Sequence, residues 1–189
     1  MKKIILCFLG AVLFAPFSFS LTGGPDAYGY TWIDSNEPGG PVYNWIDITA
    51  SGTPVTGLTD DNSAAFINMG MDFHYYWGDY NALKIGSNGW MSFENVANIA
   101  HCFPTIPSPG GAGDNFLAPY MTDLNFSGTG NPAQCMYYHD TGNNLFIITY
   151  LNTPWWTNAP PDWIGDNTFQ VILDANDSSI TFQYQMADM

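Results

Sequence analysis

From Ala65 to Trp77 every odd position is apolar: Ala65, Ile67, Met69, Met71, Phe73, Tyr75 and Trp77. The even positions carry Asn68, Gly70, Asp72 and His74. A period of two sends successive side chains to opposite faces, which excludes an amphipathic helix and requires a strand with one buried face. The run is long for a single strand, so a bend or bulge is expected near Gly70.

The same alternation recurs downstream and sets registers. Leu83-Lys84-Ile85 and Trp90-Met91-Ser92-Phe93 flank Ser87-Asn88-Gly89. A two-residue Asn88-Gly89 loop would pair Ile85 with Ser92 and scatter apolar residues over both faces. A three-residue loop with Gly89 left-handed pairs Ile85 with Met91 and Leu83 with Phe93, which makes one face wholly apolar; this is the expected turn. Further on, Phe169, Val171 and Leu173 alternate with Thr168 and Gln170, and Ile180, Phe182 and Tyr184 with Thr181, Gln183 and Gln185. A four-residue loop, 175–178, pairs Leu173 with Ile180, Val171 with Phe182 and Phe169 with Tyr184. The hairpin then shares one apolar face, and its other face is expected to be wet.

Leu145 to Leu151 is apolar on both faces and reads as a central strand, with shorter strands at Phe116 to Tyr120 and Cys135 to Tyr138. Aromatics at 16%, with 19 Gly and 13 Pro, favour strands joined by tight turns. No helical Ala/Leu/Glu/Lys stretch, βαβ alternation or fixed-period repeat interrupts the pattern. The expected fold is all-β, an antiparallel β-sandwich of jelly-roll type with little or no helix.

Residues 1–20 read as a signal peptide. Lys2 and Lys3 precede an apolar Ile4 to Phe14, and Ser18 and Ser20 are the small residues before a cleavage at Leu21. The apolar run is too short to span a bilayer comfortably and no second one follows. The expectation is a protein secreted or held at the cell surface without membrane insertion. Residues 21–189 are expected to form a single sandwich module. Met189 follows the last strand so closely that the chain reads as the N-terminal part of a longer protein, with downstream domains missing. Loss of Lys2 and Lys3 takes the formal charge from −14 to −16 and leaves Lys84 as the one strong base. Such a surface repels nucleic acid and anionic lipid. Cys102 and Cys135 remain after export, either as a disulfide worth on the order of 3 to 4 kcal/mol or as two buried thiols.

Several motifs, taken in order, resemble a known family. Phe73 to Tyr80 ends in an aromatic and Gly-x-Tyr; Ser-Asn-Gly-aromatic-x-Ser-Phe follows at Ser87 to Phe93. A Pro-rich loop, Phe103 to Pro109, leads to Leu-Ala-Pro-Tyr-x-x-Asp-Leu at Leu117 to Leu124. Asn-Thr-Phe-Gln-Val-Ile-Leu (Asn167 to Leu173) and Ile-Thr-Phe-Gln-Tyr (Ile180 to Tyr184) complete the set. The series resembles nidogen-like extracellular β domains and related N-terminal modules of large secreted bacterial proteins with C-terminal sorting signals. The resemblance implies an adhesive or structural module with no catalytic residues to carry over, and a further strand after Tyr184.

The chemistry-bearing residues point the same way. Asp140-Thr141-Gly142 matches the aspartic-protease tripeptide, but that chemistry needs two such carboxylates sharing a proton, and one copy between two strands is turn chemistry. His74, His101 and His139 lack metal spacing. Asp60 with Asp61, and Asp162 with Asp166, are carboxylate pairs in polar loops, a weak basis for glycoside hydrolysis. The chain is therefore expected not to be an enzyme.

Calcium is the one cofactor the oxygen-rich spots suggest. Candidates are Asp174, Asn176 and Asp177 and two other separate spots, Asp60-Asp61-Asn62 and Asp123 with Asn125; for each, ordinary turn chemistry is the competing and stronger reading. Trp155 and Trp156 lie between Pro154 and Pro160, and Trp163 follows Pro161, with Asn158 and Asp162 nearby. They form either an aromatic platform for a sugar or peptide, or a cap on the core. The reading is a non-catalytic extracellular module for adhesion or scaffolding that binds a protein or glycan. A carbohydrate-binding module built on the tryptophan loop, assisted by calcium, is the alternative.

Overall fold

The computed structural model describes residues 22–95 and 115–188. Residues 1–20, expected to be a signal peptide, and Cys102, His101 and the Phe103 to Pro109 segment lie outside the described residues. The chain divides into two compact units between Tyr43 and Asn44. In the first, β1 (Thr22–Gly23) pairs with β2 (Trp32–Ile33). Its turn is closed by Asp26, whose Oδ1 accepts hydrogen bonds from the N–H groups of Tyr28, Gly29 and Tyr30.

The second unit holds two main sheets. One is four-stranded and ordered β4 (Ile67–Tyr75), β5 (Gly78–Ile85), β6 (Met91–Ser92), β7 (Phe116–Leu117). The other runs β13 (Ser179–Ala187), β12 (Asn167–Asp174), β9 (Leu145–Leu151), β8 (Gln134–Asp140), β3 (Thr53–Pro54). Every pairing is antiparallel. A small hairpin joins β10 (Trp155–Trp156) to β11 (Trp163–Ile164). The architecture is an all-β sandwich, and among the described residues there is no helix.

The registers follow the alternation. Ile85 pairs with Met91 across the three-residue turn, and Gly89 has φ +71°. Gly70 has φ +73° where the β4–β5 register shifts, which is the expected irregularity in the long strand. Leu173 faces Ile180, Val171 faces Phe182, and Phe169 faces Tyr184. The buried inner faces contribute Phe73, Leu83, Ile85 and Met91 from one sheet and Phe146, Ile148, Tyr150, Phe169 and Val171 from the other. Tyr150 stacks on Phe169 with centroids 4.4 Å apart, and its hydroxyl donates to the Gly86 carbonyl at 2.7 Å. A buried phenol needs such an acceptor.

One expectation fails. The supposedly wet face of the C-terminal hairpin is covered, and Gln170 (0% exposed) and Gln183 (6%) are buried. The chain at Asn44–Ile46 lies over them. Gln183 accepts from the Asn44 N–H at 2.7 Å and donates to its carbonyl at 2.9 Å. Gln170 accepts from the Ile46 N–H at 3.2 Å and donates to its carbonyl at 2.8 Å and to Thr149 Oγ1 at 2.8 Å. A primary amide offers both a donor and an acceptor, so it can satisfy a strand-like segment laid across the sheet. Alternation reports which residues are polar; it does not report what covers them. Phe182 and Tyr184, expected inside, are 40% and 44% exposed because β13 is a sheet edge.

Candidate functional site: a carboxylate cluster beside a tryptophan hairpin

Asp60 and Asp61 occupy the loop before β4, and Asp123 follows β7. Their carboxylates converge, with one oxygen from each lying within 4.8 Å of the others. Neighbouring amides build the convergence. Asn62 closes its own loop, accepting from the Thr59 N–H at 2.8 Å and donating to the Gly57 carbonyl at 2.7 Å. Ser87 Oγ donates to the Asp60 carbonyl. Asn88, at the β5–β6 turn, is 1% exposed. It donates to Asp61 Oδ1 at 2.8 Å and accepts from the Leu124 N–H at 3.1 Å, so one side chain ties both acidic segments together.

The electrostatics are unfavourable for three bare anions. Burial, then the charges of Asp61 and Asp123, raise the pKa of Asp60. Burial, then Asp61, raise that of Asp123. Asp60 Oδ1 is buried and makes no hydrogen bond. Converging hard oxygen ligands, one of them Asp60 Oδ1 buried without a hydrogen bond, suit a hard divalent cation, calcium above all, whose variable coordination tolerates loop geometry. Asp60, Asp61 and Asp123 are the residues that could hold it.

The tryptophan hairpin adjoins this cluster. Trp155 pairs with Ile164 and Trp156 with Trp163. The Trp156 N–H donates to the Asp123 carbonyl at 2.9 Å, and the Asn125 N–H to the Pro154 carbonyl at 2.9 Å. Asn125 Nδ2 then donates across the hairpin to the Asp162 carbonyl at 2.9 Å. Residues 123–125 thus carry a cluster ligand and anchor both arms of the hairpin. Of the three rings, Trp156 is exposed (39%), and Trp155 and Trp163 are half-buried. Asn158 and Asp162 are exposed at the hairpin end.

The remaining candidates stand apart. Asp174 and Asp177 turn their oxygens onto their own loop: Asp174 Oδ1 accepts from the Asn176 backbone at 2.9 Å and side chain at 2.7 Å, and Asp177 Oδ1 from Ser179 N–H at 3.0 Å. Asp140 does the same with Gly142 and Asn143, and Asn143 in particular lowers its pKa. His74 Nδ1 lies 2.7 Å from Asp79 at the surface. Cys135 is a buried free thiol whose pKa is pushed up by burial; its expected partner, Cys102, is outside the described residues.

Fold and site together describe an antiparallel sandwich whose loops bring a carboxylate cluster beside a tryptophan hairpin. Residues 40–189 match the family described as NIDO related, and the chain belongs to that family. The family makes it an extracellular-type module. Compared with the curated proteins and with the solved structures, the chain finds no match.

Proposed function

We propose that this sandwich is a non-catalytic adhesive module of a secreted or surface-held protein, and that it takes its protein or glycan ligand at the loops described above. The observation that carries the reading is the shared 123–125 segment, which fastens the Trp155–Ile164 hairpin to the Asp60/Asp61/Asp123 cluster. A cation bound at the carboxylates would replace mutual repulsion with attraction and stiffen the segment on which the hairpin is hung. That lowers the ordering cost of binding and is worth affinity without any new contact.

A glycan is the ligand class favoured within this reading. An exposed indole face flanked by polar groups, here Trp156 with Asn158 and Asp162, is suited to stacking on a sugar ring while fixing its hydroxyls. The test is tryptophan fluorescence of the folded protein against a glycan panel, in calcium and then in EDTA. A saturable change that Trp156→Ala abolishes supports the glycan reading, and its loss in EDTA adds the cation. A flat response from a folded sample removes the glycan and leaves a protein ligand.

A further inference from the structure

The acceptor signal for N-linked glycosylation, Asn-x-Ser/Thr, stands at two places in the chain, Asn125-Phe126-Ser127 and Asn176-Asp177-Ser178. As sequence the two are equivalent, and each has an aspartate two positions before its asparagine, Asp123 and Asp174. The fold separates them. Asn125 is 2% exposed, and its Nδ2 donates to the Asp162 carbonyl at 2.9 Å. The backbone there is pinned: the Asn125 N–H donates to the Pro154 carbonyl and the Phe126 N–H to the Thr59 carbonyl, both at 2.9 Å. Asn131 Nδ2 holds the Asn125 and Ser127 carbonyls at 3.0 Å and 2.7 Å. A transferase reaches the Asn125 nitrogen only by unfolding the segment that anchors the tryptophan hairpin.

Asn176 is the opposite case. It is exposed in the four-residue β12–β13 loop, at a hairpin tip, where polar chain tolerates added bulk. Asp174 pairs with Leu145, and the Ala175 N–H donates to the Asn144 carbonyl at 3.1 Å, which puts this loop at one end of the five-stranded sheet. The tryptophan hairpin hangs from the other end of β9 and β12, where Thr153 and Asn167 exchange backbone hydrogen bonds. A chain of sugars on Asn176 therefore grows away from the candidate site. Asn176 Nδ2 gives one N–H to Asp174 Oδ1 at 2.7 Å and one to the Asn143 carbonyl at 2.9 Å. Substitution at that nitrogen removes one N–H and keeps the other, and at an exposed position water replaces the lost bond.

We propose that Asn176 is an N-glycosylation site, which takes an oligosaccharide from a lipid-pyrophosphate donor as the chain is exported. This rests on the secreted reading given above, since export brings the chain to the transferase. In the transfer Nδ2 attacks the anomeric carbon of the first sugar. The N–C bond forms as the anomeric C–O bond breaks, the lipid pyrophosphate leaves, and one Nδ2 proton passes to a base on the transferase. Ser178 supplies the hydroxyl that completes the signal.

The test gives the folded full chain to a purified oligosaccharyltransferase with a lipid-linked oligosaccharide of known mass. Intact mass and peptic peptides are read by mass spectrometry. The expected result is one oligosaccharide per chain, on Asn176, with Asn125 unmodified. Asn176→Gln and Ser178→Gly each abolish the transfer. Ser178 has φ +63°, where glycine is less strained than serine, so Ser178→Gly removes the hydroxyl while keeping the turn. A folded chain that stays unmodified, or that takes the sugar on Asn125, overturns the proposal. Chain recovered from its native source separates this proposal from the reading it rests on. Exported chain with Asn176 unmodified overturns the glycosylation alone, whereas chain retained in the cytoplasm overturns the secreted reading and the modification with it.

Discussion

Gln170→Leu separates what the strand pattern says from what the structure says. If position 170 faced water, as plain alternation suggests, the change would be nearly neutral. In the structure Gln170 is wholly buried and makes four hydrogen bonds, two of them to the backbone of Ile46. Leucine fills similar space but leaves the Ile46 N–H and carbonyl without partners under the sheet. Each orphaned group costs about 1 to 3 kcal/mol. The gain from burying a more apolar side chain offsets part of this, and a net loss of about 2 to 4 kcal/mol is expected. For a chain of this size that lowers the Tm by about 4 to 16 °C. The control is Gln185→Leu, an exposed position on the neighbouring strand β13, expected to stay within about 0.5 kcal/mol of wild type. Thermal and urea unfolding of both variants measure the difference. A Gln170→Leu protein as stable as the control would refute the buried amide clamp.

Three further outcomes follow from the site and its supports. The raised pKa values of Asp60 and Asp123 mean that, without cation, the folded state binds more protons than the unfolded state just above the ordinary carboxylate pKa. Stability of the EDTA-treated protein should therefore fall as pH rises through that window, and Asp123→Asn should flatten the fall in a pH series of urea melts. Calcium competes with those same protons, so its affinity should weaken as pH drops through the window, measured by calorimetry at a series of pH values. Gly89→Ala should destabilise the protein by about 2 to 4 kcal/mol in urea melts. The new Cβ would meet the Tyr120 carbonyl oxygen, and φ there is +71°.

Much of the sandwich was legible because alternation and turn chemistry are local. The three-residue turn at Ser87–Gly89 and the four-residue loop of the C-terminal hairpin each admit one register that gathers the apolar residues, and both registers are present. The covering of Gln170 and Gln183 was not legible, since the segment responsible lies more than a hundred positions earlier and signals itself by no pattern. The site was half legible. Asp60, Asp61 and Asp123 were recognisable one by one as oxygen ligands, but their convergence depends on Asn88, which in sequence is only a turn residue. Likewise, Trp155, Trp156 and Trp163 read as a loop because strands of two residues carry no periodicity. Their pairing is set instead by anchors at Asp123 and Asn125.

The most direct measurement is hydrogen exchange of the folded protein with and without calcium, read by mass spectrometry. The account predicts saturable calcium binding that slows exchange in two places together, at residues 60–62 and across the 123–125 segment into the tryptophan hairpin. Asp123→Asn should remove both effects. Calcium that leaves exchange unchanged, or that protects the acidic loop while the hairpin exchanges as before, would contradict the claim that the cluster and the hairpin form one site.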